Sequence, residues 1–168
     1  MEGLGNTLAL IGAALAVFLS GSGSSIGIGI ACKSAAGVLT ELPERYTLNL
    51  ILVVLPGTQG IYGLASAFLL MFFMGIFGGD AVNLTWSQGL LLLGACLPVG
   101  ISGFVSAIHQ GKVCAGGITM AAKRPELAFK AGAVYAVMVE LYALFGLLTT
   151  LLMIAMAIDW EAVKVAAQ

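Results

Sequence analysis

Charge is what this sequence has least of. Of 168 residues, 9% are Asp, Glu, Lys or Arg, and the formal net charge is −1. Nothing in that balance offers the basic surface that nucleic acid requires. Histidine occurs once, as His109, and cysteine three times, as Cys32, Cys96 and Cys114. The cysteines sit in apolar or helix-flanking sequence at a spacing that fits no zinc pattern, so they read as unpaired thiols. No His–Cys set for a transition metal can be assembled. The opening stretch MEGLGN holds Glu2 but no Lys or Arg. Residues 1–24 therefore lack the basic start of a cleaved signal peptide and read as part of the mature chain.

What is present is hydrocarbon. The chain is 60% hydrophobic, with a mean hydropathy of +1.07. Such composition belongs to membrane spans. Four apolar segments of about 20 residues or more are expected. They run roughly from Asn6 to Cys32, Tyr46 to Phe77, Trp86 to Gly117 and Leu127 to Ile158. The connections are Ser34–Arg45, Gly78–Thr85 and Met120–Glu126. Trp86 and Trp160 fall at segment ends, where indoles favour the headgroup zone. Lys33, Arg45, Lys112, Lys123, Arg124 and Lys130 gather about the first and third connections, whereas Glu2, Asp80, Asp159 and Glu161 lie at the termini and the middle connection. By the positive-inside bias, connections 34–45 and 120–126 are cytoplasmic, and both termini face the other side. The tail 159–168 reads as a solvated helix end.

The chain repeats itself at a shift of 82 positions. Gly12-Ala13 meets Gly94-Ala95, Ser20-Gly21 meets Ser102-Gly103, and Pro43-Glu44 meets Pro125-Glu126. Ser24, Ile26, Gly29 and Cys32 meet Ser106, Ile108, Gly111 and Cys114. Each copy holds an even number of spans, so the copies share one orientation. The fold class is an all-α membrane protein: four transmembrane helices as two tandem parallel hairpins, residues 1–79 and 80–168. Gly21, Ser25 and Gly29, and likewise Gly103, Ala107 and Gly111, recur at i, i+4, i+8. That is a close-packing face, either inside one bundle or around the axis of a ring.

A carboxylate stands inside the last apolar run. Glu140 lies near the middle of Ala133–Met153. Placing a charged acid there costs roughly 2.5–3.5 kcal/mol on insertion scales, so an intramembrane acid points to a partner or an ion path. In the second segment, Leu55, Thr58, Gln59 and Tyr62 share one helical face, and Pro56 loosens backbone carbonyls beside them. Counting from the connections, Gln59, Gln110 and Glu140 all lie about 20 Å deep at 1.5 Å per residue. One carboxylate, two amide oxygens, a hydroxyl and a loosened carbonyl form an oxygen cage suited to a hard cation. A monovalent ion, Na⁺ or H⁺, neutralises Glu140; a divalent ion would leave excess charge in lipid. The emptied carboxylate needs a cationic partner at that depth, which must come from another protein. His109 and Lys112 point away from Gln110 around the helix.

The stretches LPGTQGIYG, HQGKV and AVMVELYALFG resemble the double-hairpin proteolipid rotor subunits of bacterial V-type ATPases, the subunit K branch of the c-subunit family, over nearly the whole chain. The resemblance implies a non-catalytic, multi-pass subunit of a bacterial plasma membrane that assembles with identical copies into a ring, segments one and three inside. The ring turns against a stator subunit offering an Arg, and it is coupled through central-stalk subunits to a soluble head that hydrolyses ATP. In sodium-type members the matching ion site uses the Leu55 carbonyl, the side chains of Thr58, Gln59 and Gln110, and Glu140, while Tyr62 matches a residue that hydrogen-bonds the acid. Glu140 falls opposite Gly57 or Thr58 in the first hairpin, so each chain offers one carboxylate for four helices. By ion-to-ATP arithmetic this favours pumping over synthesis.

A proton site would need only Glu140 and an apolar shield, which leaves the other oxygens superfluous. Na⁺ is therefore the expected cargo, with an H⁺-carrying rotor as the alternative. A small four-helix secondary cation exchanger and a tetraspan scaffold are the rivals from other classes. No organic cofactor is expected.

Overall fold

The computed structural model describes residues 3–79 and 81–165. Glu2 and Asp80, two of the charges used above for orientation, lie outside that range. Four helical spans are long and apolar enough to cross a membrane: Leu4–Glu41, Pro43–Phe73, Trp86–Lys123 and Pro125–Met156. The first is one helix, α1 (Leu4–Glu41). The second is broken into a 3₁₀ turn, Pro43–Arg45, α2 (Tyr46–Val54), a second 3₁₀ turn, Leu55–Gly57, and α3 (Thr58–Phe73). The third is α4 (Trp86–Lys123). The fourth joins a short α5 (Pro125–Leu127) through a π-helical turn, Ala128–Ala133, to α6 (Val134–Met156). A final α7 covers Trp160–Val165.

The helices outrun the apolar segments. Ser34–Glu41, read above as connection, is the last part of α1, and Met120–Lys123 belongs to α4. Each turn there shrinks to little more than Leu42 or Arg124, whose N–H closes back on Val38 or Met120. Proline follows at once in both places and cannot continue the helix. The added turns remain packed, with Ala35 and Ala121 in the core and Val38 against it; small residues bury there without giving a strongly apolar pattern. At the opposite end, α3 stops at Phe73 instead of reaching Phe77. Gly75 has φ 73°, and Gly75 N–H donates to Phe72 O while Ile76 N–H donates to Met71 O. This paired closure is a Schellman motif, and it needs the left-handed residue that glycine supplies. A capping box opens α4: Thr85 accepts from Gln88 N–H, and the Gln88 side chain accepts from Thr85 N–H.

The two hairpins pack side by side with α1 parallel to α4. A Cβ on Gly12 would strike the backbone at Leu93, one on Gly23 the backbone at Phe104, and one on Gly111 the backbone at Gly27. Ser34 Oγ donates to Ala115 O at 3.1 Å, a separation of 81 residues. The spatial register of the two helices is thus the sequence repeat itself. The two small-residue stripes part company here. Gly103, Ala107 and Gly111 are buried against α1. Gly21 and Gly29 have nothing within 4 Å of a would-be Cβ, and Ser25 is exposed. The face of α1 that does pack is Ala9, Ala13, Ala16, Ser20, Gly23, Gly27 and Ala31.

Trp160 also departs from expectation. Only Trp86 is an exposed indole. Trp160 is buried, stacks on Phe73 at 5.3 Å and donates its Nε1–H to Ile154 O at 2.8 Å. The described part of the tail is therefore docked on the core by Trp160 and Val163, not solvated; residues 166–168 lie outside the described range.

Candidate ion site

The breaks in the helices sit at the polar layer. Pro56 has no N–H to give to the preceding turn, and the chain answers with a 3₁₀ turn over Leu55–Gly57. Thr58 starts α3 and donates its N–H to Leu55 O. Its Oγ1–H lies 3.0 Å from the same carbonyl and 3.3 Å from Gln59 Oε1. Three oxygens thus gather about one hydroxyl, with Leu55 O also receiving the Thr58 N–H.

From there a hydrogen-bonded chain crosses to the acid. Gln59 Nε2 donates to Gln110 Oε1 at 2.7 Å and lies 3.4 Å from Ser106 Oγ. Gln110 Nε2 donates to Ala136 O at 3.0 Å and to Glu140 Oε2 at 3.3 Å. Tyr62 donates its phenol O–H to Glu140 Oε1 at 2.5 Å. Gln59 and Gln110 are fully buried and Glu140 is 9% exposed, so water cannot serve as the default partner. All six residues singled out from the sequence, Leu55, Thr58, Gln59, Tyr62, Gln110 and Glu140, belong to this one network. His109 and Lys112 are exposed and outside it. Among the described residues no three His, Cys, Asp or Glu side chains cluster. The network itself offers neutral oxygens and one carboxylate, ligands of the kind hard cations take.

Two serines in the site escape the sequence reading. Ser106 Oγ donates to Val139 O at 3.0 Å, next to Glu140. Ser24 Oγ accepts from Gly60 N–H at 2.8 Å, beside Gln59. They are repeat mates, each tying the backbone of its own outer span to an inner helix. Their signal is present in the 82-residue shift but lost among many serines and glycines.

The structure also settles what stands opposite Glu140. Gly63 is pressed against Ser20 and Ala16, and Gly146 against Ser102 and Pro98. These contacts superimpose the two hairpins, and Glu140 then matches Gly57. The interval Pro125–Gly146 is one residue longer than Pro43–Gly63. The extra residue is taken up in the π turn Ala128–Ala133, the usual form of a one-residue insertion in a helix. Gly132 of that turn lies against Gly117 of α4, so the turn is held close.

Comparison with known proteins agrees with this architecture. The family model of the ATP synthase C-subunit matches twice, at residues 11–70 and 93–153, once in each hairpin. The chain belongs to the ATP synthase C-subunit family. It is 42% identical over 150 residues to the V-type sodium ATPase subunit K of Enterococcus hirae, covering 89% of this chain and 92% of that protein. It is 35% identical over 147 residues to the A-type ATP synthase subunit K of Methanocaldococcus jannaschii, covering 88% of this chain and 61% of the relative. It is 30% identical over 145 residues to the 16 kDa proteolipid c-subunit of the V-type proton ATPase of Bos taurus, covering 86% and 89%. As a member of this family with four apolar spans, it is a multi-pass membrane protein.

Proposed function

We propose that this chain is the rotor-ring subunit of a rotary V-type ATPase and carries Na⁺ through the membrane plane on Glu140. It is a non-catalytic subunit; ATP is hydrolysed in a soluble head. The observation that carries the reading is the oxygen cluster at the helix break: Leu55 O, Thr58 Oγ1 and Gln59 Oε1 lie together, one amide away from Gln110 and Glu140. Oxygens gathered in this way can turn their lone pairs to a cation. A proton on Glu140 would leave them as they are. The name and 42% identity of the Enterococcus hirae relative support the sodium reading.

In this scheme the ion neutralises Glu140, and Tyr62 holds the carboxylate in place. The loaded site is neutral and can face lipid; the emptied carboxylate cannot do so cheaply. It meets a stator Arg instead, while the cytoplasmic turns at Leu42 and Arg124 engage the central stalk. Residues 1–79 and 80–168 act as two hairpin units in a bacterial plasma membrane, with connections 34–45 and 120–126 cytoplasmic and the termini outside.

The test is carbodiimide labelling of the assembled ring. Glu140 alone should be modified, and millimolar Na⁺ should protect it at neutral pH. Labelling that Na⁺ leaves unchanged refutes the sodium reading and favours H⁺. Glu140→Gln should still assemble into imaged rings but reduce ATP-driven Na⁺ uptake to background. Wild-type uptake by that variant would remove the ion from this site.

A further inference from the structure

We propose that Ser106 is a positioning residue of the ion site: its proton is committed to a backbone carbonyl of α6, so its lone pairs hold the Gln59 amide with the oxygen turned to Leu55 O and Thr58. The inference rests on the sodium reading above and adds to it a residue that touches no ion itself.

Ser106 and Gln110 stand one turn apart on the same face of α4, and both are buried. The Ser106 hydroxyl donates to Val139 O at 3.0 Å, and a carbonyl can only accept. What Ser106 then offers Gln59 Nε2, 3.4 Å away, is a lone pair. Gln110 is set in the same way. Its Nε2 donates to Ala136 O and Glu140 Oε2, so its Oε1 faces Gln59 as an acceptor. These contacts place all four amide hydrogens of the two glutamines. Gln59 spends both of its own on α4, which leaves Oε1 on the side of Thr58 Oγ1 and Leu55 O. Turned over, the amide would set its oxygen against Gln110 Oε1 and Ser106 Oγ, two acceptors, where burial keeps water out. Two carbonyls of α6 thus dictate, through Gln110 and Ser106, which end of Gln59 meets a cation.

The repeat separates this role from that of a helix tie. Ser24, the mate of Ser106, also joins an inner helix to its outer span, but with the opposite polarity: it accepts from Gly60 N–H at 2.8 Å. Ile28, the mate of Gln110, leaves no second amide beside it. The tie belongs to both hairpins, whereas the lone pair turned to a glutamine belongs to Ser106. In Ser106→Ala one Gln59 hydrogen has no acceptor as long as Oε1 faces the ion. The ion-free site relieves this by turning the amide, and Na⁺ must undo the turn to bind.

The test is the Na⁺ concentration that halves carbodiimide labelling of Glu140, measured on imaged rings. In Ser106→Ala it should rise about two- to tenfold, the worth of one neutral hydrogen bond. Ser106→Thr keeps the hydroxyl and should bring it back to within about twofold of wild type. Because Ser106 acts through Gln59, adding Ser106→Ala to Gln59→Leu should move that variant's value by less than about twofold, a non-additivity that a tie to α6 would not produce. An unchanged value in Ser106→Ala overturns the inference. So do an equal loss in both backgrounds, a loss that Thr does not restore, and a failure of Ser106→Ala to form rings, which would make the hydroxyl a structural tie. Each of these leaves the sodium reading standing while wild-type rings are protected; wild-type rings that Na⁺ does not protect overturn both.

Discussion

Gln59→Leu is the perturbation that asks most of the site. Gln59 is fully buried and does two jobs: its amide nitrogen holds Gln110 Oε1 at 2.7 Å, and its oxygen joins the cluster with Thr58 and Leu55. Leucine fills a similar volume and does neither. The two losses push Na⁺ affinity in opposite directions. Losing the amide–amide bond raises the energy of the ion-free site, which by itself strengthens binding, by about 0.5–1.5 kcal/mol for a neutral hydrogen bond. Losing an oxygen that faces a cation weakens binding by about 1.5–3 kcal/mol, the range for partners of charged groups. The second term is larger at mid-range, so the net loss is about 1.2 kcal/mol, or roughly eightfold in affinity.

The assay is the Na⁺ concentration that halves carbodiimide labelling of Glu140 in isolated rings. It should rise by that factor, while labelling without Na⁺ stays near the wild-type rate because Glu140 and Tyr62 are untouched. The stranded Gln110 oxygen should also lower the dissociation temperature of the ring, since an unsatisfied buried acceptor costs about 1–3 kcal/mol. A half-protective concentration within twofold of wild type would refute the assignment of Gln59, whatever happened to stability.

Three further outcomes follow from the same geometry. Tyr62→Phe removes the phenol donor from Glu140 Oε1; the half-protective Na⁺ concentration should rise about tenfold, the worth of a charge-assisted bond near 1.4 kcal/mol, and Na⁺-free labelling should accelerate. Thr150→Val strands the Val99 N–H, which Thr150 Oγ1 accepts at 3.1 Å beside Pro98; ring stability should fall by about 1–3 kcal/mol in thermal dissociation with Na⁺ protection unchanged. Deleting Ala131 should turn the π turn into regular α-helix and leave Na⁺ protection intact, whereas deleting Leu144, between Glu140 and the Gly146 contact, should abolish it; equal damage from the two deletions would show that the π turn does not hold the extra residue.

The sequence made the spans and the polar layer legible because both depend on spacing along a helix. Glu140, Gln110 and Gln59 could be brought to one depth by counting 1.5 Å per residue, and the repeat by simple alignment. What could not be read was anything decided by tertiary contact. Gly21 and Gly103 carry the same local pattern, yet Gly103 is jammed against Ser20 and Gly21 is open. Trp160 has the position of an interfacial indole, but Phe73 and Ile154 O claim it. The π turn left only a one-residue mismatch, which sequence alone could not place on Gly57 rather than Thr58.

That mismatch bears on why the repeat is unequal. The first hairpin spends Pro56 on a 3₁₀ break, and the break exposes Leu55 O beside Thr58 and Gln59. A carboxylate at Gly57 would stand inside that break, one residue from Thr58, where the backbone is already giving up its regular acceptors. The second hairpin has no proline at the matching depth. Its irregular turn lies nearer the Pro125 end, at Ala128–Ala133, so Glu140 stands in unbroken α6. One outer span has become a donor of neutral oxygens and the other a rigid mount for the charge. A site formed between two such spans needs both kinds, and two identical hairpins would supply either two breaks or two charges. The absence of an acid opposite Glu140 therefore fits an oxygen cluster built from backbone, and Gly57→Glu should cost Na⁺ protection at Glu140 instead of adding a second ion.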